Sequence, residues 1–328
     1  MRKRLIFRAD ANTTMGRGHL SRCLAVAGMI KDDIEVLFVC LKKDESYILK
    51  LLGDFNFQSL EKDYDLIQIL NKEDLLWIDG YQFSKKWKIK IRKCVYKLIE
   101  TNDIPADANN VDIVFNHTPG LKPEPFINID ANTKLYLGLK YALLRQNFLK
   151  HAKTKKAKSS GKGVFICFGG ADTYNLGEKF TKELIRLNFN EPIYWVTNRS
   201  DKDLQTDKVD NLTILSHLNE EEMIHYMSEA KVVLIPSSVL SFEAMALRKP
   251  IFTCYFVNNQ ELIYNGLIEL NLACGAGYIK NGAEIKKKMS EFMHYYNDTD
   301  NHKTQLDNQI VVLDGTSGER INKLIATL

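Results

Sequence analysis

A histidine inside a glycine-containing turn is the first residue of this chain that could do chemistry. The segment RADANTTMGRGHLSRC, Arg8 to Cys23, predicts a strand, a loop and a helix that begins near His19. Gly16 and Gly18 allow a tight turn, and backbone amides at a helix start suit a phosphate group, so Gly18 is a candidate nucleotide contact. Since an imidazole accepts a proton near neutral pH, we predict that His19 is a general base. A histidine that only caps the helix is the alternative.

Further polar side chains are expected beside this histidine. Asp10 and Arg17 lie in the same turn and are candidate sugar contacts. The sequence WIDGYQF, Trp77 to Phe83, predicts a buried strand that delivers Asp79 and Tyr81 to the same sheet edge. In parallel sheets, ligands bind beyond the carboxyl ends of the strands. Both side chains are therefore predicted to bond to the histidine or to sugar hydroxyls, with an ordinary Asp-Gly turn as the alternative.

Polar residues also follow the predicted strands of the second half. In FGGAD, the glycine amides can reach a diphosphate, and the aspartate can either cap the next helix or position a ligand. In PSSVLSFEA, two serines at a helix start can hold phosphate oxygens, and the glutamate can accept ribose hydroxyls. The predicted nucleotide contacts are Gly169, Gly170, Asp172, Ser237, Ser238 and Glu243, and Asn259 of VNNQE is a predicted sugar contact.

Strand and helix patterns alternate along the chain, which indicates an α/β protein with parallel sheets. The polar stretch HAKTKKAKSSGKG interrupts this alternation and predicts a linker over residues 151–163. We expect two Rossmann-like domains that face a cleft, with the histidine and sugar site in residues 1–150 and the nucleotide site in residues 164–328. The last segment, Gly318 to Leu328, predicts a helix that packs back across the domain junction.

The composition fits a cytoplasmic enzyme and disfavours several other classes. The 328 residues carry a net charge of only +4, and no basic stripe interleaved with aromatics suggests nucleic acid. No apolar run has the length of a membrane span, no signal peptide is visible, and the six cysteines form no C-x-x-C pair. No histidine has acidic or cysteine partners at ligand spacing, so neither a metal nor a cofactor is expected.

These motifs together resemble the UDP-2,4-diacetamido-2,4,6-trideoxy-β-L-altropyranose hydrolase family of pseudaminic acid biosynthesis. The matching patterns are R-x-D with G-x-G-H-x-x-R-C, I-D-x-Y, Y-A-L-L-R (Tyr141 to Arg145), F-G-G-x-D, S-S with E-A-x-A-L, N-Q-E and D-G-x-x-G-x-R-I. The pair of G-x-G-H-x-x-R-C and Y-A-L-L-R is the most specific. Two positions depart from the family pattern, Gly80 and Asn102. Both border the predicted sugar site, so a related diacetamido or amino sugar is an alternative substrate.

The resemblance implies a glycosyltransferase-B-like fold that hydrolyses a UDP-sugar without a metal. Water would attack the anomeric carbon with inversion, and UDP would leave. By the same resemblance, His19 matches the general base, and Asp79, Tyr81 and Asn259 match sugar-site positions. The glycine pair, the serine pair and the glutamate of the second half match the nucleotide side. The implied partners are the UDP-sugar and water, with no stable membrane association.

Two other functions are compatible with the sequence. The first is a UDP-sugar glycosyltransferase, which needs an acceptor that is often lipid-linked. The basic segment KKWKIKIRK, Lys85 to Lys93, keeps this alternative open, although a solvated amphipathic helix is its simpler interpretation. The second is a nucleotide-sugar binder without catalysis, which the presence of His19, Tyr81 and Asn259 disfavours.

Overall fold

The chain folds into two compact units. The structure is a computed structural model that describes residues 3–12, 16–30, 34–154, 161–169, 172, 174–199, 209–280 and 283–328. The first domain consists of Met1–Gln146 and Thr316–Leu328, and the second of Asn147–Gly315. Each domain holds one parallel sheet covered by helices, so the predicted α/β class with two Rossmann-like domains is confirmed.

The described part of the first domain contains a seven-stranded sheet in the order β3-β2-β1-β4-β5-β6-β7, and every pairing is parallel. Its strands are β1 (Arg4–Ala9), β2 (Glu35–Leu41), β3 (Asn56–Leu60), β4 (Leu75–Asp79), β5 (Lys97–Thr101), β6 (Ile113–Asn116) and β7 (Lys134–Leu137). Its first three helices are α1 (Gly18–Met29), α2 (Glu45–Leu52) and α3 (Lys85–Arg92). The central strands are buried on both faces, which explains their continuous apolar runs.

The second domain repeats this plan with a described six-stranded parallel sheet in the order β10-β9-β8-β11-β12-β13. Its strands are β8 (Val164–Cys167), β9 (Ile193–Val196), β10 (Leu212–Leu215), β11 (Val232–Pro236), β12 (Ile251–Tyr255) and β13 (Cys274–Tyr278). Its helices are α4 (Gln146–Lys153), α5 (Leu176–Arg186), α6 (Glu220–Glu229), α7 (Val239–Ala246), α8 (Glu261–Glu269), α9 (Ile285–Asn297) and α10 (Thr299–Val312). Aromatic and aliphatic side chains of α5, α9 and the sheet form its core.

Each sheet reverses its strand order at one place. In the first domain, the chain proceeds outward from β1 through β2 to β3, then returns and proceeds from β4 to β7 on the other side. In the second domain, the same reversal occurs between β8 and β11. Such a reversal opens a crevice at the carboxyl ends of the two strands, where open α/β sheets bind ligands.

The observed domain boundaries differ from the predicted ones at both points where the chain passes from one domain to the other. Helix α4 begins before the predicted linker and packs with the second domain, because its Phe148, Leu149 and Ala152 are buried there. The final helix, α11 (Ser317–Thr327), belongs to the first domain, where it packs against α1. Residues 155–160 of the predicted linker lie outside the described residues.

Candidate active site

The reversal point of the first sheet brings His19 next to Asp79. His19 lies at the start of α1, which follows β1, and Asp79 is the last residue of β4, the strand that pairs with β1. His19 Nδ1 lies 2.7 Å from Asp79 Oδ1. The side chain therefore does not cap the helix: Arg17 occupies the capping position, and no side chain accepts a hydrogen bond there. The predicted proximity of histidine and aspartate is present in the fold.

The contacts of Asp79 select one tautomer of the histidine. Arg22 donates from Nε to Asp79 Oδ2 at 2.9 Å and from Nη2 to Oδ1 at 2.6 Å, so the carboxylate is held on both oxygens. A carboxylate accepts only, so the Nδ1 that faces it carries the hydrogen, and Nε2 is the nitrogen that can accept a proton. Arg22 Nη2 lies only 3.0 Å from His19 Nδ1, because both nitrogens donate to the same oxygen, Asp79 Oδ1.

Arg22 also holds a second carboxylate, that of Asp103. Its Nη1 and Nη2 donate to Asp103 Oδ1 and Oδ2 at 2.6 and 2.9 Å. Burial acts to lower the pKa of Arg22, but Asp103 and Asp79 together raise it well above its usual value. Burial acts to raise the pKa of Asp103, but the Arg22 guanidinium holds it well below its usual range. Both groups are therefore ionised, and their charges compensate each other inside the domain.

Tyr81 completes this group of side chains. Its hydroxyl donates to Asp103 Oδ2 at 2.8 Å, and its ring packs edge-on against the His19 imidazole with 4.8 Å between ring centroids. Tyr81 is 53% exposed, whereas Asp79 is fully buried. We call His19, Arg22, Asp79, Tyr81 and Asp103 the histidine cluster.

A cavity of about 280 Å³ adjoins the histidine cluster within the first domain. All five residues of the cluster line it, and so do Lys88, Glu100 and Asn102 from α3 and the end of β5. The Lys88 ammonium donates to Glu100 Oε1 and, at 3.1 Å, to the Asp107 carbonyl. Burial raises the pKa of Glu100 to about 7, against the opposing effects of Lys88 and Asn102. The cavity is thus polar and lined by charges of both signs.

The other predicted residues of the first turn have different surroundings. Asp10 is buried in a separate network, where it accepts from Arg8 at 2.8 Å, from the Leu41 amide at 2.9 Å and from Gln82 at 3.0 Å. These contacts indicate a structural role for Asp10, because its oxygens are used within the protein. Arg17 and Gly18 are exposed at the start of α1. A Cβ at Gly18 would meet nothing within 4 Å, so packing does not require a glycine there.

In the second domain, Gly169 and Asp172 of the loop after β8 have different surroundings. Gly169 is exposed, and its φ of 79° lies in the region that favours glycine. Gly170 lies outside the described residues. Asp172 accepts from the Leu176 and Gly177 amides at 2.7 and 2.8 Å, so the structure gives it the helix-capping alternative. Burial raises the pKa of Asp172 against these two hydrogen bonds.

The two serines after β11 are in unlike environments. Ser237 is fully buried, and its hydroxyl lies 2.9 Å from the Thr253 hydroxyl, so this side chain bonds within the sheet. Ser238 is partly exposed and caps α7, where its Oγ accepts from the Leu240 amide at 3.3 Å. Glu243 is buried on the same helix. The amino end of α7, rather than both hydroxyls, is thus the feature that this loop offers to a ligand.

Asn259 lies half-buried in the short 3₁₀ turn Asn258–Gln260 that follows β12. It belongs to the second domain, whereas the histidine cluster belongs to the first. The two groups of predicted sugar contacts are therefore carried by different domains.

Sequence reasoning missed two residues of the cavity, Lys88 and Glu100. The strand KLIET, β5, was not predicted, because its apolar run is short and carries charges. A glutamate between an isoleucine and a threonine was the available signal, since a charge inside a buried strand needs a partner. The partner is on α3, and no local pattern could identify it.

Within the described ranges, no group of three or more His, Cys, Asp or Glu side chains is arranged to hold a metal ion. No helix in the part of the chain that the structure describes is long and apolar enough to cross a membrane.

Solved structures with the same fold are glycosyltransferases and related proteins. MurG of Acinetobacter baumannii has a TM-score of 0.61 at 12% identity, and both chains are covered completely. The calicheamicin glycosyltransferase CalG4 has a TM-score of 0.62 at 13% identity, covering 100% of this chain and 98% of the other. MnaA of S. aureus in complex with UDP has a TM-score of 0.63 at 12% identity, covering 98% and 96%. At such identities, the similarity establishes the glycosyltransferase-B-like fold alone.

Sequence comparison gives a more specific similarity than the fold does. No family model matches the chain. An uncharacterized protein of Methanocaldococcus jannaschii is 26% identical over 278 residues, which are 79% of this chain and 57% of that protein. The UDP-2,4-diacetamido-2,4,6-trideoxy-β-L-altropyranose hydrolase of Campylobacter jejuni is 28% identical over 261 residues, which are 79% of this chain and 93% of that enzyme. This match confirms the resemblance of the chain to the family of that hydrolase.

Proposed function

We propose that the protein hydrolyses a UDP-linked diacetamido-trideoxy sugar and releases UDP and the free sugar. The observation that carries this proposal is the His19–Asp79 pair at 2.7 Å in the wall of a polar cavity. The similarity to the Campylobacter jejuni hydrolase supports the choice of substrate class. A place in pseudaminic acid biosynthesis, in the cytoplasm, is part of the same proposal.

The proposed reaction is a single displacement. A water oxygen attacks the anomeric carbon on the face opposite UDP, and the bond from that carbon to the β-phosphate oxygen breaks. The electron pair of that bond stays with the departing UDP, and the configuration at the anomeric carbon inverts. His19 Nε2 takes the proton of the water. Proton removal by a positioned base accelerates such a reaction roughly 10²–10⁴-fold.

The histidine cluster keeps the base in the form that this step needs. Asp79 fixes the Nδ1–H tautomer and stabilises the imidazolium that forms when Nε2 takes the proton. Arg22 acts as a positioning residue, because it holds Asp79 on both oxygens. Tyr81 is the exposed member of the cluster and is proposed to contact the sugar.

The second domain is proposed to bind the UDP part. Gly169 with Gly170, and Ser238 at the amino end of α7, follow the two strands at which the sheet order reverses. Backbone amides and a helix start favour negatively charged oxygens. Glu243 is proposed to accept the ribose hydroxyls and Asn259 to contact the sugar. Arg17 and Gly18 are proposed to contribute from the first domain.

A transferase remains the second candidate because of helix α3. Ile89 is 40% exposed on this helix, among basic residues that would suit an acceptor carried by an anionic surface. A transferase and a hydrolase differ in one requirement, namely the acceptor.

The deciding experiment incubates the purified protein with UDP-2,4-diacetamido-2,4,6-trideoxy-β-L-altropyranose and EDTA, without any acceptor, and follows the reaction by NMR. The hydrolase releases UDP and the sugar, and the first anomer to appear has the inverted configuration. Substrate that stays intact under these conditions and reacts only after an acceptor is added would establish the transferase. Loss of turnover with EDTA would contradict the metal-independent reaction.

A further inference from the structure

The cavity of the first domain has a polar wall that the proposed displacement does not use. Lys88, Glu100 and Asn102 form this wall, and they are only 3%, 4% and 6% exposed. We call them the acceptor wall, because two of them present hydrogen-bond acceptor oxygens. Three polar side chains with so little exposure are unusual unless hydrogen bonds compensate their burial.

Two oxygen atoms of the acceptor wall are not compensated. Among the described residues, neither Glu100 Oε2 nor Asn102 Oδ1 has a hydrogen-bond partner. A buried acceptor without a donor costs about 1–3 kcal/mol. Both side chains line the cavity, so a molecule bound there is in the position to supply the missing donors.

Lys88 does not offset this excess of acceptors. Its ammonium donates to Glu100 Oε1 and to the Asp107 carbonyl, which commits it to groups of the protein. A phosphate group of UDP carries acceptors only, so it cannot supply the donors that Glu100 Oε2 and Asn102 Oδ1 lack. A volume of about 280 Å³ lies just below the range of typical ligand pockets, which is roughly 300–1,000 Å³. The space suits one substituted sugar ring rather than a whole nucleotide sugar.

We propose that the acceptor wall selects the sugar by binding a hydrogen-bond donor on its ring, either the N–H of an acylamino group or a hydroxyl. The inference rests on the proposed function, because the ring must occupy this cavity with its anomeric carbon near His19. Asn102 Oδ1, together with Glu100 Oε2 in its ionised form, accepts from the donor, and a sugar without a donor at that position leaves them unpaired. Asn102 and Glu100 are thus specificity-determining residues.

The test measures binding by calorimetry in a His19→Asn background, in which turnover is expected to be roughly 10²–10⁴-fold slower. The probes are UDP-2,4-diacetamido-2,4,6-trideoxy-β-L-altropyranose and three analogues. In two of them, one acetamido N–H is replaced by an ester oxygen, and the third lacks the ring hydroxyl. One analogue is expected to bind about tenfold more weakly than the parent, the usual effect of one lost hydrogen bond. Which analogue it is identifies the donor.

The variants Asn102→Leu and Asn102→Asp connect the loss to the wall. Asn102→Leu removes the acceptor at nearly constant size and is expected to weaken the parent by the same factor, without weakening the sensitive analogue further. Asn102→Asp keeps an acceptor and is expected to retain the preference for the parent. Equal weakening of the parent and every analogue by Asn102→Leu would overturn the proposal, because it indicates a general loss of structure. The urea unfolding midpoint of Asn102→Leu, compared with that of the His19→Asn background, controls for folding of the first domain.

Failure of the inference and failure of the proposed function are separable. Hydrolysis is measured on the protein with His19 intact, and the preference for a donor is measured by binding. A donor preference that depends on Asn102, without hydrolysis, removes the proposed reaction and leaves the acceptor wall. Hydrolysis without such a preference does the reverse, and a lack of binding by all probes overturns both.

Discussion

At the scale of residues, the histidine cluster separates the proposed proton acceptor, His19, from the charged groups that orient it. Arg22 is bonded to both Asp79 and Asp103, and the opposite charges of Arg22 and Asp103 keep these two groups ionised. The imidazole of His19 is the member that is proposed to take the proton. Its orientation is set by Asp79, whose own orientation is set by Arg22. Each of these dependences predicts a measurable effect of substitution.

Replacement of the base is expected to remove turnover but not nucleotide binding. His19→Asn keeps a polar side chain of similar reach but cannot accept the proton, so kcat should fall by roughly 10²–10⁴-fold. The dissociation constant for UDP, measured by calorimetry, should stay unchanged, because the UDP part is proposed to bind the second domain. His217→Asn is the matched control: His217 is exposed and has a φ of 53°, a conformation that asparagine tolerates. Retained activity in His19→Asn would exclude His19 as the base.

Replacement of the carboxylate behind the base is expected to reduce both rate and stability. Asp79→Asn removes the charge that stabilises the imidazolium, so kcat should fall on the order of 10²-fold or more. It also leaves the buried Arg22 with one carboxylate fewer, at a cost of about 3–5 kcal/mol in the free energy of unfolding. Steady-state kinetics and urea unfolding measure the two effects.

The first domain offers a matched control for that substitution. Asp74 precedes β4, whereas Asp79 ends it, and Asp74 accepts from Arg4 at 2.9 and 2.7 Å in a similar two-oxygen contact. Asp74→Asn should therefore lower stability without changing kcat. Equal effects of the two substitutions on kcat would show that Asp79 acts through stability alone.

At the scale of elements, the apolar strands of the site could be predicted, and the charged one could not. Strand β4 was predicted to deliver Asp79 to the sheet edge, and it does end at this residue, because LLWID is a continuous apolar run that ends in an aspartate. The start of α1 was predicted within one residue from its glycine turn. Strand β5 was missed, and it is the strand that carries Glu100 to the cavity. Its charge is stabilised by Lys88 of another element, and such a contact has no local signature.

The loops of the second domain show a different limit of sequence reasoning. A hydroxyl or a carboxylate at a helix start can either bind a ligand or cap the helix, and the sequence is the same in both cases. The structure gives Asp172 to the cap of α5 and Ser237 to a contact with Thr253. Helix α7 begins at Val239, directly after the two serines, and Ser238 caps it. Only tertiary contacts distinguish these alternatives.

One buried arginine joins several helix ends of the second domain and predicts a large effect on stability. Arg248, just beyond α7, donates from Nη1 to the Met245 and Gln309 carbonyls at 3.1 and 2.9 Å. From Nη2 it donates to the Ala152 and Leu313 carbonyls at 2.6 and 2.8 Å. A lysine keeps the charge but lacks the planar fork, so Arg248→Lys should lower the free energy of unfolding by about 2–4 kcal/mol.

Urea unfolding tests this effect against a control arginine. Arg186 forms an i,i+3 pair with Glu183, and its side chain is 55% exposed. Arg186→Lys should change the free energy of unfolding by less than about 1 kcal/mol. Coincident unfolding midpoints for the two lysine variants would mean that the carbonyl contacts of Arg248 contribute little.

At the scale of the whole molecule, the chain passes between the two domains twice. It enters the second domain at Asn147 and returns to the first at Thr316, so both termini belong to the first domain. The return is held by polar contacts: Ser317 Oγ donates to the Ala142 carbonyl at 2.7 Å, and Arg320 donates to the Lys140 carbonyl at 3.0 Å. The last helix in the sequence is therefore a structural part of the domain that carries His19.

This connectivity predicts that damage near the C-terminus destabilises the first domain. Ile325 of α11 is only 1% exposed, and α11 packs against α1, the helix that begins at His19. Ile325→Ala should cost about 2–5 kcal/mol through lost burial and a residual cavity. Hydrogen exchange followed by mass spectrometry should show faster exchange in α1 and β1, with no change in β8 and β11. Val311→Ala, at a position that is 80% exposed in the second domain, is the control and should leave both sheets unchanged. Faster exchange in the second domain instead would mean that α11 stabilises the second domain. Substitutions near the C-terminus would then leave the helix that begins at His19 unaffected.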